Sequence, residues 1–179
     1  MAINYSEDGL LDGKLAVFKY DGLIKKAISD LKYNLVTDII EELSGIMAGV
    51  LRKNFPNILN FWRQEKYVLV PIPLFWQRQN WRGFNQAEDV GQALAKKLRL
   101  RFNKQILYRV KKTAPQVSFK DKQQRRQGVK GVFQARSEKL ADNLILFDDV
   151  STTGSTLNEA VKTVKAAGAK SVWGLTIGG

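Results

Sequence analysis

The stretch from Asn143 to Ile177 narrows most what this 179-residue chain can fold into. Leu144-Ile145-Leu146-Phe147 is apolar at every position, the mark of a strand buried on both faces. Asp148-Asp149 and a turn reading VSTTGST, Val150 to Thr156, follow at once. From Ser155 to Ala167, Leu157, Ala160, Val161, Val164 and Ala167 recur at helical spacing, and Gly168 closes the run. Ser171–Ile177 is a second apolar strand. A strand, a helix and a strand with such short joints form a parallel pair linked by a crossover. The expected fold is therefore α/β, with a mostly parallel central sheet flanked by helices.

In open parallel sheets a ligand sits outside the carboxyl ends of the strands. Asp148 and Asp149 fall there and can accept hydrogen bonds from vicinal hydroxyls. Ser151, Thr152, Thr153, Gly154, Ser155 and Thr156 follow, offering hydroxyls and the backbone N–H groups that open a helix. A helix N-terminus favours a phosphate. The segment can thus hold a ribose by its diol and its 5′-phosphate together. It is not a Walker A loop, which needs a lysine after its last glycine, and no dinucleotide G-x-G-x-x-G is present.

The length suits one domain spanning residues 1–179. No apolar run approaches the roughly 20 residues of a membrane-spanning helix. MAINYSEDGLLDG at the start lacks the basic and apolar regions of a secretory signal, so a cytoplasmic protein is expected. The chain contains no cysteine and no histidine. Disulfides, thiolate zinc sites, cysteine nucleophiles and the commonest general base are excluded. Between Lys96 and Lys139 fifteen Lys/Arg stand against two acids, whereas the other segments carry 14 basic and 15 acidic residues. The net charge of +12 is therefore one block, a solvated face or a surface for polyanions.

Other elements follow from spacing. LAVFKY, within Gly9–Tyr20, reads as an edge strand. Asp21-Gly22 starts a helix with Leu23, Ile24, Ala27, Ile28 and Leu31 on one face. Thr37 caps a second, running to about Lys53 through Ile39, Ile40, Leu43, Ile46, Met47 and Val50, and Asn54-Phe55-Pro56-Asn57 breaks it. Tyr67–Pro71 is a buried strand, followed by a loop from Leu74 to Gly83. In that loop Trp76 and Trp81 flank arginines, as core residues or as stacking platforms for bases. Phe84–Leu98 is a helix, and Gln105–Val110 and Val132–Ala135 are strands. Lys111–Lys130 shows no convincing period.

Leu144–Thr156 resembles the phosphoribosyl-pyrophosphate signature of type I phosphoribosyltransferases. Val70-Pro71-Ile72-Pro73-Leu74, Arg78 and Arg82-Gly83-Phe84-Asn85-Gln86 are similar to the competence protein F (ComF) family within that fold. So are Arg109, Thr113, Pro115-Gln116, Arg125, Val129, Gly131 and Phe133, and the early Tyr20 and Lys32-Tyr33. The chain departs from the pattern in three ways. It lacks the family's cysteine-rich zinc element, and Gly128 and Phe75 stand where the family has Asn and often His.

The resemblance implies a phosphoribosyltransferase fold with a small hood. Residues 1–66 would supply two helices and an edge strand to the hood, and 67–179 the core. It implies that Asp148 and Asp149 bind the ribose hydroxyls and that the turn Ser151–Thr156 binds the 5′-phosphate. Arg78, Arg82 and Gly83 would lie on the pyrophosphate side, and a flexible loop carrying Arg109, Gln116 and Arg125 would close over the site. The ligand is then phosphoribosyl pyrophosphate with Mg²⁺, held mainly by ligand oxygens and by Asp148 and Asp149 directly or through water. Two functions follow: a competence factor in DNA uptake, or an active phosphoribosyltransferase of nucleotide metabolism or salvage with an unidentified acceptor. Partners implied are single-stranded DNA and a helicase-like competence ATPase, and the aromatic content leaves room for a homodimer face.

Overall fold

The computed structural model describes residues 3–4, 10–33, 37–74, 85–111, 130–151 and 154–179. Strands β1 (Ile3–Asn4) and β2 (Gly13–Phe18) precede helices α1 (Gly22–Tyr33), α2 (Thr37–Asn54) and α3 (Pro56–Gln64). Then come β3 (Val68–Pro71), α4 (Gln86–Leu98), β4 (Arg101–Phe102), β5 (Leu107–Arg109) and β6 (Phe133–Ala135). The chain continues through β7 (Asn143–Val150), α5 (Ser155–Ala166) and β8 (Ser171–Gly178).

The main sheet runs in the order β1-β2-β8-β7-β3-β4. β2, β8, β7, β3 and β4 are parallel, and only β1 is antiparallel to its neighbour. After β3 the chain passes through α4 to β4 at one edge, and after β7 it passes through α5 to β8 in the other direction. The order therefore reverses between β3 and β7, and the crevice of such a sheet opens beyond their carboxyl ends.

Both faces are covered, which is why β7 is apolar throughout its first half. Leu69, Ile145, Phe147, Trp173 and Leu175 pack with α1 to α4. Val68, Val70, Leu144, Leu146 and Val172 pack with Leu157, Ala160, Val161 and Val164 of α5. Ile106, Leu107, Val132 and Phe133, on and beside the antiparallel β5–β6 ribbon, join this second core.

Several sequence expectations are corrected here. Gly13–Phe18 is no edge strand, because Lys14 and Leu15 pair with β1 on one side and β8 on the other. Pro56 does not merely break α2. It stands in the first turn of α3, where its missing N–H costs nothing. Leu23 is 83% exposed and Ile46 58%, since α1 buries Ile28 and Leu31 and α2 buries Leu43, Met47 and Leu51 instead. β4 is two residues long, too short to show a period. β7 extends through Asp148, Asp149 and Val150, because their backbones still pair with β8.

Candidate functional site

Asp148 and Asp149 occupy the carboxyl-terminal end of β7, next to the point where the strand order reverses. Each folds its carboxylate onto the following backbone. Asp148 Oδ1 accepts from Asp149 N at 2.8 Å, and Asp149 Oδ1 accepts from Val150 N at 2.7 Å. These local bonds hold two acids, both half-buried, at a strand end where the next turn leaves the sheet.

Ser151 is buried, and its N–H donates to Gly178 O at 3.1 Å, which ties the start of the turn to β8. Gly154 is the N-cap of α5 with φ +70°, a left-handed conformation that glycine adopts without a Cβ penalty. It has no side chain with which to cap, and the first turn of α5 contains no acid. The positive end of the helix dipole is therefore not offset by a carboxylate of that turn. Ser155 is buried and Thr156 half-buried on the same turn.

Two residues outside the sequence motifs belong here. Lys14, on β2, reaches across β8 so that its Nζ donates to Ser151 Oγ at 2.7 Å. Burial pushes its ammonium below the ordinary lysine value, and the Asp148 carboxylate partly counters this. Gly174 makes the crossing feasible. A Cβ there would stand 2.7 Å from Leu157 Cδ2 and 3.5 Å from Lys14 Cγ. Thr176 pairs with Asp148 across the β7–β8 ladder and is fully buried. Its Oγ1 has no hydrogen-bond partner among the described residues. The only available signal for Lys14 was a charged residue inside an otherwise apolar strand, GKLAVF. Thr176 carried none.

The neighbouring strand end is built from β3. Ile72 N donates to Phe147 O at 2.8 Å, carrying the pairing with β7 past Pro71. Asn85 is buried, accepts from Ala87 N at 3.2 Å as the N-cap of α4, and donates through Nδ2 to Ile72 O at 3.3 Å. One side chain thus closes the base of the connection between β3 and α4.

No protein-family model matches the chain. It is 33% identical to the DNA utilization protein YhgH of Escherichia coli strain K12 over 160 residues, covering 88% of this chain and 68% of that protein. It is 40% identical to competence protein F of Haemophilus influenzae over 115 residues, 60% of this chain and 49% of that protein. Against competence protein ComFC of Bacillus subtilis it is 29% identical over 165 residues, 89% of this chain and 60% of that protein. The chain belongs to the ComF family. It spans about half to two thirds of the length of these relatives.

Within the ComF pattern, Asn85 is thus a helix cap that fastens the strand exit. Arg109 lies on β5, with its guanidinium 5.5 Å from the Phe133 ring centroid and its Nε donating to Lys111 O at 3.3 Å. Gly131 N donates to Glu159 Oε1 at 2.5 Å, fixing the β5–β6 ribbon to α5. Thr152 and Thr153 of the turn lie outside the described residues, as do Arg78, Arg82, Gly83, Gln116 and Arg125. So do Trp76, Trp81, Phe75 and Gly128.

Among the described residues no group of three or more Asp, Glu, His or Cys gathers to hold a metal, and no helix is long and apolar enough to cross a membrane. Asp148 and Asp149 offer hard carboxylate oxygens, which suit Mg²⁺, but two carboxylates do not make a cage. They fit an ion carried in by the phosphate oxygens of a ligand.

Proposed function

We propose that this ComF-family chain binds 5-phosphoribosyl-1-pyrophosphate with Mg²⁺ beyond the carboxyl end of β7, and that it acts in DNA uptake. The observation that carries this reading is the succession of Asp148, Asp149, the buried Ser151 and the αL Gly154 at the N-terminus of α5, beside the reversal of strand order. The vicinal hydroxyls of a ribose would donate to the two carboxylates. Its 5′-phosphate would take hydroxyl and N–H donors from the turn and the first turn of α5. Asp148 and Asp149 would be the protein's oxygen donors to Mg²⁺, which would supply positive charge against the pyrophosphate. The role in DNA uptake rests on the names of the relatives, a competence protein in two species and a DNA utilization protein in a third. Single-stranded DNA and a helicase-like ATPase are the partners this role calls for, and the cytoplasm the place.

Isothermal titration of phosphoribosyl pyrophosphate, with and without Mg²⁺, tests the reading. Magnesium-dependent binding that disappears in the Asp148→Asn/Asp149→Asn protein is expected, and unchanged binding in that variant would refute the site. The same titrated sample separates a binding module from a transferase. Two carboxylates below a ribose can stabilise an oxocarbenium-like transition state, so the transferase reading predicts pyrophosphate release when a nitrogen nucleophile is added.

A further inference from the structure

The turn from Val150 to Thr156 contains no lysine or arginine, and it follows directly on two carboxylates. A phosphate held there by hydroxyls and N–H groups alone would stand close to like charge in a half-buried place, which is unfavourable. Among the described residues a cation reaches this turn from elsewhere in the chain. Lys14 starts on β2, separated from β7 by the whole width of β8. Its stem passes over Gly174, and its Nζ ends 2.7 Å from Ser151 Oγ. That Oγ lies 3.9 Å from the position a Cβ would take on Gly154, the N-cap of α5.

We propose that Lys14 brings a cation to this site and takes the phosphate monoester of a sugar phosphate whose ribose is held by Asp148 and Asp149; the assignment rests on the sugar-phosphate reading above. An ammonium beside the positive end of a helix sets like against like. The Asp148 carboxylate relieves part of this, and an anion drawn by both the ammonium and the helix relieves the rest. Thr176 supplies the second, independent sign of a ligand. Its hydroxyl is fully buried beside Asp148 and has no partner among the described residues. It shares a corner of the fold with Ser151: a Cβ built on Gly179 would stand 2.8 Å from Ala16 Cβ, 3.8 Å from Ser151 O and 3.9 Å from Thr176 Oγ1. A buried hydroxyl without a partner is costly, and this one stands on the strand position paired with Asp148.

The test is titration of ribose 5-phosphate in magnesium-free buffer into the wild-type protein and into Lys14→Met, Lys14→Gln and Lys14→Arg. A charge-assisted hydrogen bond of this kind predicts affinity weakened about 10- to 100-fold in K14M and K14Q, with K14R within about threefold of wild type. K14Q keeps a donor toward Ser151 without the charge, and so serves should K14M fold poorly. The increase of Kd with salt should be shallower in K14M and K14Q than in wild type, a change that a purely structural lysine would not produce. Wild-type binding that is lost in D148N/D149N but unchanged in K14M and K14Q would overturn the role of Lys14 and leave the sugar site standing. Absence of wild-type binding to ribose 5-phosphate and to phosphoribosyl pyrophosphate alike would overturn the site and the assignment together.

Discussion

Gly174 and Lys14 depend on each other: bare backbone on β8 lets the lysine stem and Leu157 of α5 lie against it together. Gly174→Ala places a methyl 2.7 Å from Leu157 Cδ2. Overpacking of this kind costs about 1–3 kcal/mol, so thermal unfolding should move several degrees lower, with sugar-phosphate affinity falling as α5 is displaced. Tyr67 supplies a pH test at the same scale. It is buried, its hydroxyl lies 2.6 Å from Ser171 Oγ, and burial raises its pKa above the ordinary tyrosine value of 10.0. A group whose folded pKa lies above its unfolded one contributes stability that is present below the unfolded value and fades as pH rises through the folded one. Denaturant unfolding should therefore show stability falling above about pH 10, and Tyr67→Phe should flatten that fall. Asp148, Asp149 and the turn hydroxyls were legible as residues, because their order along a few positions already assigns their roles. Lys14 was not, since a lysine in a strand acquires meaning only from what lies across the sheet.

Asn85 shows what an element demands of one residue. As N-cap of α4 it accepts from Ala87 N, and its amide also donates to Ile72 O at the exit of β3. Asn85→Ala should lower stability by about 1–2 kcal/mol, the cost of a lost cap. Asn85→Asp, which keeps the acceptor and loses the Ile72 bond, should fall between that and wild type in urea unfolding. The periods of α2, α4, α5, β7 and β8 were readable because each is long and one face of each helix is apolar. α3 was missed because Pro56 reads as a breaker and in fact opens a helix. β4 was missed because two residues carry no period. Leu23 shares the helical spacing of the α1 face and Ile46 lies in the apolar pattern of α2, but each helix turns a neighbouring stripe to the core, and spacing alone does not give the azimuth of packing.

For the whole molecule, the question is what the basic block does. Its described members lie near the C-terminus of α4, on β4 at the sheet edge and along the β5–β6 ribbon. Lys97 pairs with Glu41 and Lys104 with Glu88, so these two are partly neutralised within the fold. If the block contacts single-stranded DNA through six or more phosphates, affinity should fall about 300-fold or more between 50 and 200 mM salt, measurable by fluorescence anisotropy. A flat response would count against direct DNA contact.

By itself the sequence determined the strand–turn–helix–strand unit from β7 to β8 and the family to which the chain belongs. Both are written in contiguous residues, where hydrophobic period and turn chemistry act over a few positions. The tertiary structure alone decided that β2 lies inside the sheet beside β8, and that the strand order reverses between β3 and β7. It alone brought Lys14 to Ser151, 137 residues away in the chain. Parallel strands take partners that are remote in sequence, and which partner each takes is settled by burying both faces of the sheet at once.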